Sequence, residues 1–128
     1  MGEAMAESKQ DYDIETDSVM FEKGQRFDVT AVGAAQSPWW NRTLCEVNAC
    51  WVRLGVMEGD FHWHKHDDTD EFFLVMEGHL DIELKDQMVS LKPGQAFTVP
   101  RGVMHCPHAR GRSVVLMMEN AGVVPTGS

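Results

Sequence analysis

The chain has 128 residues, 43% of them hydrophobic and 24% charged, which fits one globular domain and excludes a chain disordered overall. Twenty acidic against eleven basic side chains give a formal net charge of −9. That balance opposes the basic face of a nucleic-acid binder and is repelled by an anionic membrane surface, so neither is an expected partner.

Residues 1–20 hold six acids (Glu3, Glu7, Asp11, Asp13, Glu15, Asp17) against Lys9 alone, more than half of the net charge, and few large apolar residues. This composition predicts a flexible acidic tail, with residues 21–128 forming a single domain. The N-terminus lacks a basic segment followed by an apolar one, and no apolar run reaches the ~20 residues of a spanning helix. Cys45, Cys50 and Cys106 fall in no CxxC spacing and cannot all pair within one chain. Together these features predict a cytoplasmic protein with reduced thiols.

Residues 21–42, with Trp39-Trp40, are read as an early strand or a short helical turn. From about residue 43, short apolar runs alternate with turn residues. Strands are predicted over 50–57, 72–76, 79–84, 88–91, 96–99, 104–108 and 113–119. The breaks include Gly59, Gly78, Lys92-Pro93-Gly94, Pro100-Arg101-Gly102 and Arg110-Gly111-Arg112. Many short strands with evenly spaced turns predict an all-β barrel or sandwich.

The segment from Gly59 to Glu71 carries the chemistry. In an extended strand His62, His64 and His66 share one face, with Trp63 and Lys65 opposite. Two imidazoles one residue apart can converge on a metal ion. Glu71 can return a carboxylate from the adjoining strand, and His105, after the Pro100-Arg101-Gly102 turn, is the candidate fourth ligand. Imidazole and carboxylate without cysteine suit Mn, Fe, Zn, Ni or Cu and leave positions for water or substrate. Arg53 interrupts the alternating series Cys45, Val47, Ala49, Trp51 and either pairs with a substrate carboxylate, snorkels to solvent or pairs with a structural acid.

These residues resemble the two motifs of the cupin superfamily. The first, G(X)5HXH(X)3,4E(X)6G, is matched by Gly59, His64-x-His66, Glu71 and Gly78, with four residues instead of five before His64. The second, G(X)5PXG(X)2H(X)3N, is matched by Gly94, Pro100-x-Gly102 and His105, with Ala109 at the final Asn position. The resemblance covers roughly residues 50–120 and is greatest to small single-domain bacterial cupins. It implies an all-β, double-stranded β-helix (jelly-roll) barrel, here with a short N-terminal extension, and usually a homodimer. It also implies one divalent transition metal held by His64, His66, Glu71 and His105.

The expected function is a metal-dependent enzyme acting on a small oxygenated or carboxylate-bearing metabolite, of decarboxylase, isomerase or dioxygenase type. The alternative is a non-catalytic metal- or metabolite-binding cupin, acting as sensor or auxiliary module. His62 is the candidate catalytic residue, with Arg53 a second candidate for the substrate pocket; a His62 exposed at the barrel mouth is the competing reading. The only tyrosine, Tyr12, lies in the acidic segment, so a barrel tyrosine acting as base requires that segment to fold inward. Gly78, Gly94 and Gly102 are expected in turns with positive φ.

Overall fold

The computed structural model describes residues 12–128. Its strands are β1 (Asp13–Val19), β2 (Trp40–Val47), β3 (Cys50–Asp60), β4 (Glu71–Glu77), β5 (Leu80–Leu84), β6 (Met88–Leu91), β7 (Ala96–Val99) and β8 (His105–Asn120). One short helix, α1 (Val29–Ala34), is capped at its start by the Asp28 carboxylate, which accepts from the Ala31 amide. The strands form one eight-stranded sheet in the order β1-β2-β3-β8-β4-β7, with β5 joined to β8 and β6 to β5. All the neighbouring pairs are antiparallel except β1 with β2. This is an all-β jelly roll, as expected. Among the described residues, no helix is long and apolar enough to cross a membrane.

Two expectations about organisation change. The acidic segment is not a tail throughout: residues 13–19 form a strand, while residues 1–11 lie outside the described residues. Arginines of the neighbouring strands hold this strand down. Arg42 Nη1 donates to the Asp13 carbonyl at 2.9 Å and Nη2 to its carboxylate at 2.9 Å. Arg53 Nη2 donates to the Glu15 carbonyl at 3.2 Å. Acids that read as a solvated tail are thus partly neutralised by residues distant in sequence. The runs 104–108 and 113–119 are one strand of 16 residues, because Gly111 (φ +70°) bends the chain without ending it. β3 pairs along both parts, while the other edge is taken by β5 in the first part and by β4 in the second.

Alternation decides which residues face the barrel interior. Along β4, Glu71, Phe73 and Val75 are buried while Phe72, Leu74 and Met76 are half-buried on the other face. The interior cluster includes Trp39, Met57, Phe73, Val75, Leu80, Ile82, Val115 and Met117. A second cluster, around Trp40, Leu44, Leu54, Val56 and Val114, is covered by Phe21, Phe27, Val29 and Val32. The ambiguous region 21–42 therefore contains a short helical turn that lids the outside of the sheet. Residues 45–51 are not one face: a turn at Asn48 (φ +53°) divides β2 from β3 and leaves Val47 48% exposed.

Candidate metal centre

The loop from Phe61 to Asp70 is fixed by backbone bonds to the strand that it faces. Phe61 N–H donates to the Pro107 carbonyl at 2.9 Å, and His64 and His105 exchange N–H···O bonds of 3.0 and 2.9 Å. The turn before His105 is held by the Gly102 amide, which donates to the His66 carbonyl at 2.7 Å. Gly102 sits at φ +78°, and Gly78 and Gly94 take +83° and +86°, as their turn positions predict. Thr69 completes the loop, its hydroxyl accepting from the Asn120 amide at 3.0 Å.

This framework brings His64, His66, Glu71 and His105 together, all buried, with one ligand atom from each lying within 4.8 Å of the others. The histidine tautomers follow from their partners. His64 Nδ1 lies 2.9 Å from the His62 carbonyl and His105 Nδ1 3.0 Å from the Val103 carbonyl. A carbonyl only accepts, so each Nδ1 carries the proton and each Nε2 presents a lone pair to the cluster. His66 Nε2 is 3.2 Å and His105 Nε2 3.4 Å from Glu71 Oε1. These three atoms are buried and have no hydrogen-bond partner. Buried polar atoms are normally satisfied, and a divalent cation would satisfy all three at once.

The electrostatics favour cation binding. Burial pushes the His64 imidazole down to about 4, helped by His105 and His66, so it stays neutral and able to ligate at ordinary pH. Burial would raise the Glu71 carboxyl, but the close approach of the His105 and His66 imidazoles outweighs it and holds the carboxyl well below the usual range. A buried N3O set able to hold a metal is the result.

Comparison with known proteins agrees with this architecture. The family model described as "Cupin domain" matches residues 50–119, the stretch that contains all four residues. The chain belongs to the cupin family. An uncharacterised protein of Bacillus subtilis, YdbB, is 40% identical over 81 residues, which cover 62% of this chain and 72% of YdbB. A cupin-2 domain containing protein from Shewanella frigidimarina is 35% identical, with a TM-score of 0.70 over 73% of this chain and 93% of that one. NMB1881 of Neisseria meningitidis is 20% identical with a TM-score of 0.68, covering 75% of this chain and 99% of its own, a likeness of fold alone.

Beside the cluster this cupin has a small cavity, partly open to solvent, whose lining includes His64 and Glu71. Arg53 forms part of its wall. The guanidinium does not snorkel: the residue is 1% exposed, and its Nε and Nη2 donate to Asn41 Oδ1 at 2.9 and 2.5 Å, its Nη1 to Thr43 Oγ1 at 2.5 Å. Glu119 lies on the same wall and was not singled out by its sequence context. Register explains its position. Met118 pairs with Phe72, so the next residue of β8 faces Glu71 on the interior side, and the two carboxyl groups lie side by side. Burial and the Glu71 charge push the Glu119 carboxyl far up. The signal was present in the alternation Val115, Met117, Glu119, but pairing with Glu71 required the strand register.

His62 does not join the ligand face, because the segment is not a regular strand. Its residue is exposed at the barrel mouth, stacked on Phe61 at 4.1 Å between centroids, and its Nε2 donates to the Thr126 carbonyl at 3.0 Å. That bond anchors residues 121–128, which cross back over the metal loop as a strap. Ser128 N–H donates to the Lys65 carbonyl at 2.8 Å, Asp67 N–H donates to Ser128 Oγ at 3.0 Å, and Pro125 lines the cavity. Gly127 (φ +110°) lies so close to His64 that an added Cβ would stand 2.7 Å from the His64 Cβ. Tyr12 does fold inward. Its ring packs edge-on against Trp39 and Phe61, each 4.9 Å away, and its hydroxyl is 3.5 Å from the Asp60 carbonyl.

Proposed function

We propose that this cupin binds one divalent transition metal through His64, His66, Glu71 and His105 and is a metal-dependent enzyme acting on a small oxygenated or carboxylate-bearing metabolite. The observation that carries the enzymatic reading is Glu119, an ionisable group on the cavity wall in contact with Glu71 but outside the ligand set. A metal in such a site polarises substrate oxygens or activates a bound small molecule. The protein's own part is separable from that chemistry. His64 and His105 are held in one tautomer by backbone carbonyls, and aromatic side chains line the cavity beside them. Glu119 holds a proton at neutral pH and can exchange it at a bound substrate. Decarboxylation, isomerisation and dioxygenation all fit these parts.

A non-catalytic binder is the second reading, favoured by one observation. Arg53 is committed to Asn41 and Thr43, and His62 to the strap, so neither sequence-predicted pocket residue is poised for a reaction. Metal analysis of protein purified without added metal is the first test, followed by turnover assays on the loaded protein and Glu119→Gln. Metal at one per chain, with turnover lost in a Glu119→Gln variant that keeps its metal, is the expected result. Protein that holds no metal and takes none up overturns the metal site and the enzyme together. Metal without turnover, but with a small molecule that stabilises the loaded form, selects the binder.

We also propose a homodimer formed through the outer face of the sheet. Val52, Met118 and Phe72 lie side by side across β3, β8 and β4, with Leu116 and Leu74 in the neighbouring row, and Met118 is 37% exposed.

A further inference from the structure

The cavity beside the metal cluster leaves only about 30 Å³ for the centres of water-sized molecules. About 10–15 Å³ on that measure seats one water, and pockets for small molecules run to roughly 300–1,000 Å³. A metabolite of the class proposed above therefore has no room there unless a wall moves. The walls differ in how firmly they are held. Arg53, Met57, Glu71, Phe73 and Met117 stand on β3, β4 and β8, each paired with strands on both of its edges. Ile14 pairs with Asn41 of β2, and Phe61 and His64 are bonded to the backbone of β8. Pro125 has no such support.

Pro125 belongs to the strap, which joins neither core cluster. Val123, Pro125 and Gly127 are half-buried, and the residues between them are exposed. What holds the strap over the metal loop is its hydrogen bonds with His62, Lys65 and Asp67. Each is worth little net, because water replaces it when it breaks. The root of the strap is firm: Asn120 N–H donates to Thr69 Oγ1 at 3.0 Å and Ala121 N–H to the Ala49 carbonyl at 2.9 Å. Gly122 follows at φ +87°, with nothing within 4 Å of where a Cβ would stand, so the chain has room to swing there. A segment with few buried contacts, hinged on a fixed root, is the kind that opens locally while the rest of a fold stays intact.

We propose that residues 122–128 are a lid. Closed, as seen here, it leaves the cavity to water-sized molecules; swung at Gly122, it takes Pro125 out of the wall and admits the metabolite. The lid has this role only if the cavity is the substrate's, the reading reached above. Closure then returns a cavity of about two waters beside the cluster, so bulk solvent is shut out once the substrate has left.

Amide exchange followed by NMR tests the lid without metal or substrate. The N–H groups of Gly127, Ser128 and Asp67 are all bonded to or within the strap. They should exchange through one shared opening, at least about 100-fold faster than the amides of the β3–β8 ladder. Protection equal to the ladder's overturns the lid. So does a strap still protected in Gly127→Val, where only a swing makes room for the added side chain beside His64. Access is read by stopped-flow absorbance on cobalt(II)-loaded protein, with azide, a thin linear anion, and acetohydroxamate, a bulkier bidentate one. Acetohydroxamate should bind Gly127→Val at least about fivefold faster than wild type, and azide should differ by less than about twofold, because only the larger probe waits for the open fraction. Equal acetohydroxamate rates in a variant whose Ser128 and Asp67 amides have lost protection overturn the gating role. If Gly127→Val disturbs His64 and loses cobalt, His62→Ala, outside the ligand set, carries the same comparison. Wild-type protein that takes up no cobalt sinks the metal reading alone, and the exchange experiment still decides the lid.

Discussion

At the residue scale, the four candidate ligands were readable because their chemistry and spacing are both rare: two histidines one residue apart, a glutamate five residues on, and a histidine behind a Pro-x-Gly turn. Glu119 was not readable in the same way. A lone glutamate near the end of an apolar strand reads as a solvent-facing terminus until the register places it opposite Glu71. Arg53 is ambiguous in the sequence, and the fold shows a fully buried guanidinium bonded to Asn41 and Thr43. These contrasts lead to two predictions. His66→Ala or Glu71→Gln should lower zinc affinity by more than the ~10–100-fold that loss of an outer hydrogen-bond partner typically costs, measured by competition with a chromophoric chelator. Near-normal affinity in either variant would remove that residue from the ligand set. Arg53→Ala should destabilise the fold by roughly 2–5 kcal/mol in urea denaturation, because it leaves the Asn41 and Thr43 oxygens without their donor and opens a cavity where a buried side chain stood. A loss below about 1 kcal/mol would show that the cluster is solvated.

At the scale of elements, strands 88–91 and 96–99 were legible to the residue, since each is a short apolar run between turn residues. The failures share one cause. β1 is a strand because it pairs with β2 and is tied down by Arg42 and Arg53, and β8 continues through Gly111 because β3 pairs with it on both sides of the bend. Such non-local pairing leaves no local pattern. The strap is a third case: residues 121–128 have no periodicity, yet they cover the metal loop through His62, Lys65 and Asp67. Covering the loop should slow access to the metal. Gly127→Val, which cannot fit against His64 and is strained at φ +110°, should release the strap and speed zinc extraction by EDTA several-fold, with equilibrium affinity much less changed. His62→Ala, which loses one of the anchoring bonds, should act in the same direction and more weakly. Extraction rates equal to wild type in both variants would mean that the metal is reached by another path.

At the scale of the molecule, the acidic balance that opened the sequence matters less than where its charges pair. His108 on β8 bonds Asp60 of β3 through Nδ1 at 2.8 Å and Glu83 of β5 through Nε2 at 2.9 Å, so it ties three strands together. Burial opposes its protonation, but the two carboxylates outweigh burial and raise its pKa above 6.5. A pKa raised by folding stabilises fully below the unfolded value of 6.5 and is lost as pH rises through the folded value. The Tm difference between wild type and His108→Gln should therefore be largest, roughly 2–5 °C, near pH 5.5–6, and should shrink towards pH 9. A difference independent of pH would assign His108 a packing role only. Beyond the single chain, the apolar outer rows of β3, β8 and β4 pose a solubility problem that α1 and Phe21 relieve at one end only. A second copy packed on Val52, Phe72, Leu74 and Met118 would cover the remainder, and a stable contact needs about 800 Å² from each partner. Light scattering after gel filtration should therefore find a dimer. Phe72→Glu should weaken it by more than about 100-fold, since an unpaired charge would be buried in the contact. Its side chain points away from Glu71, so metal content should hold. Met88→Lys tests whether any added charge has this effect. Met88 is 52% exposed at the far edge of the sheet, on β6, and the variant should stay dimeric. A wild-type monomer at every concentration rules out the homodimer, and dissociation by both variants or by neither shows that the contact lies elsewhere.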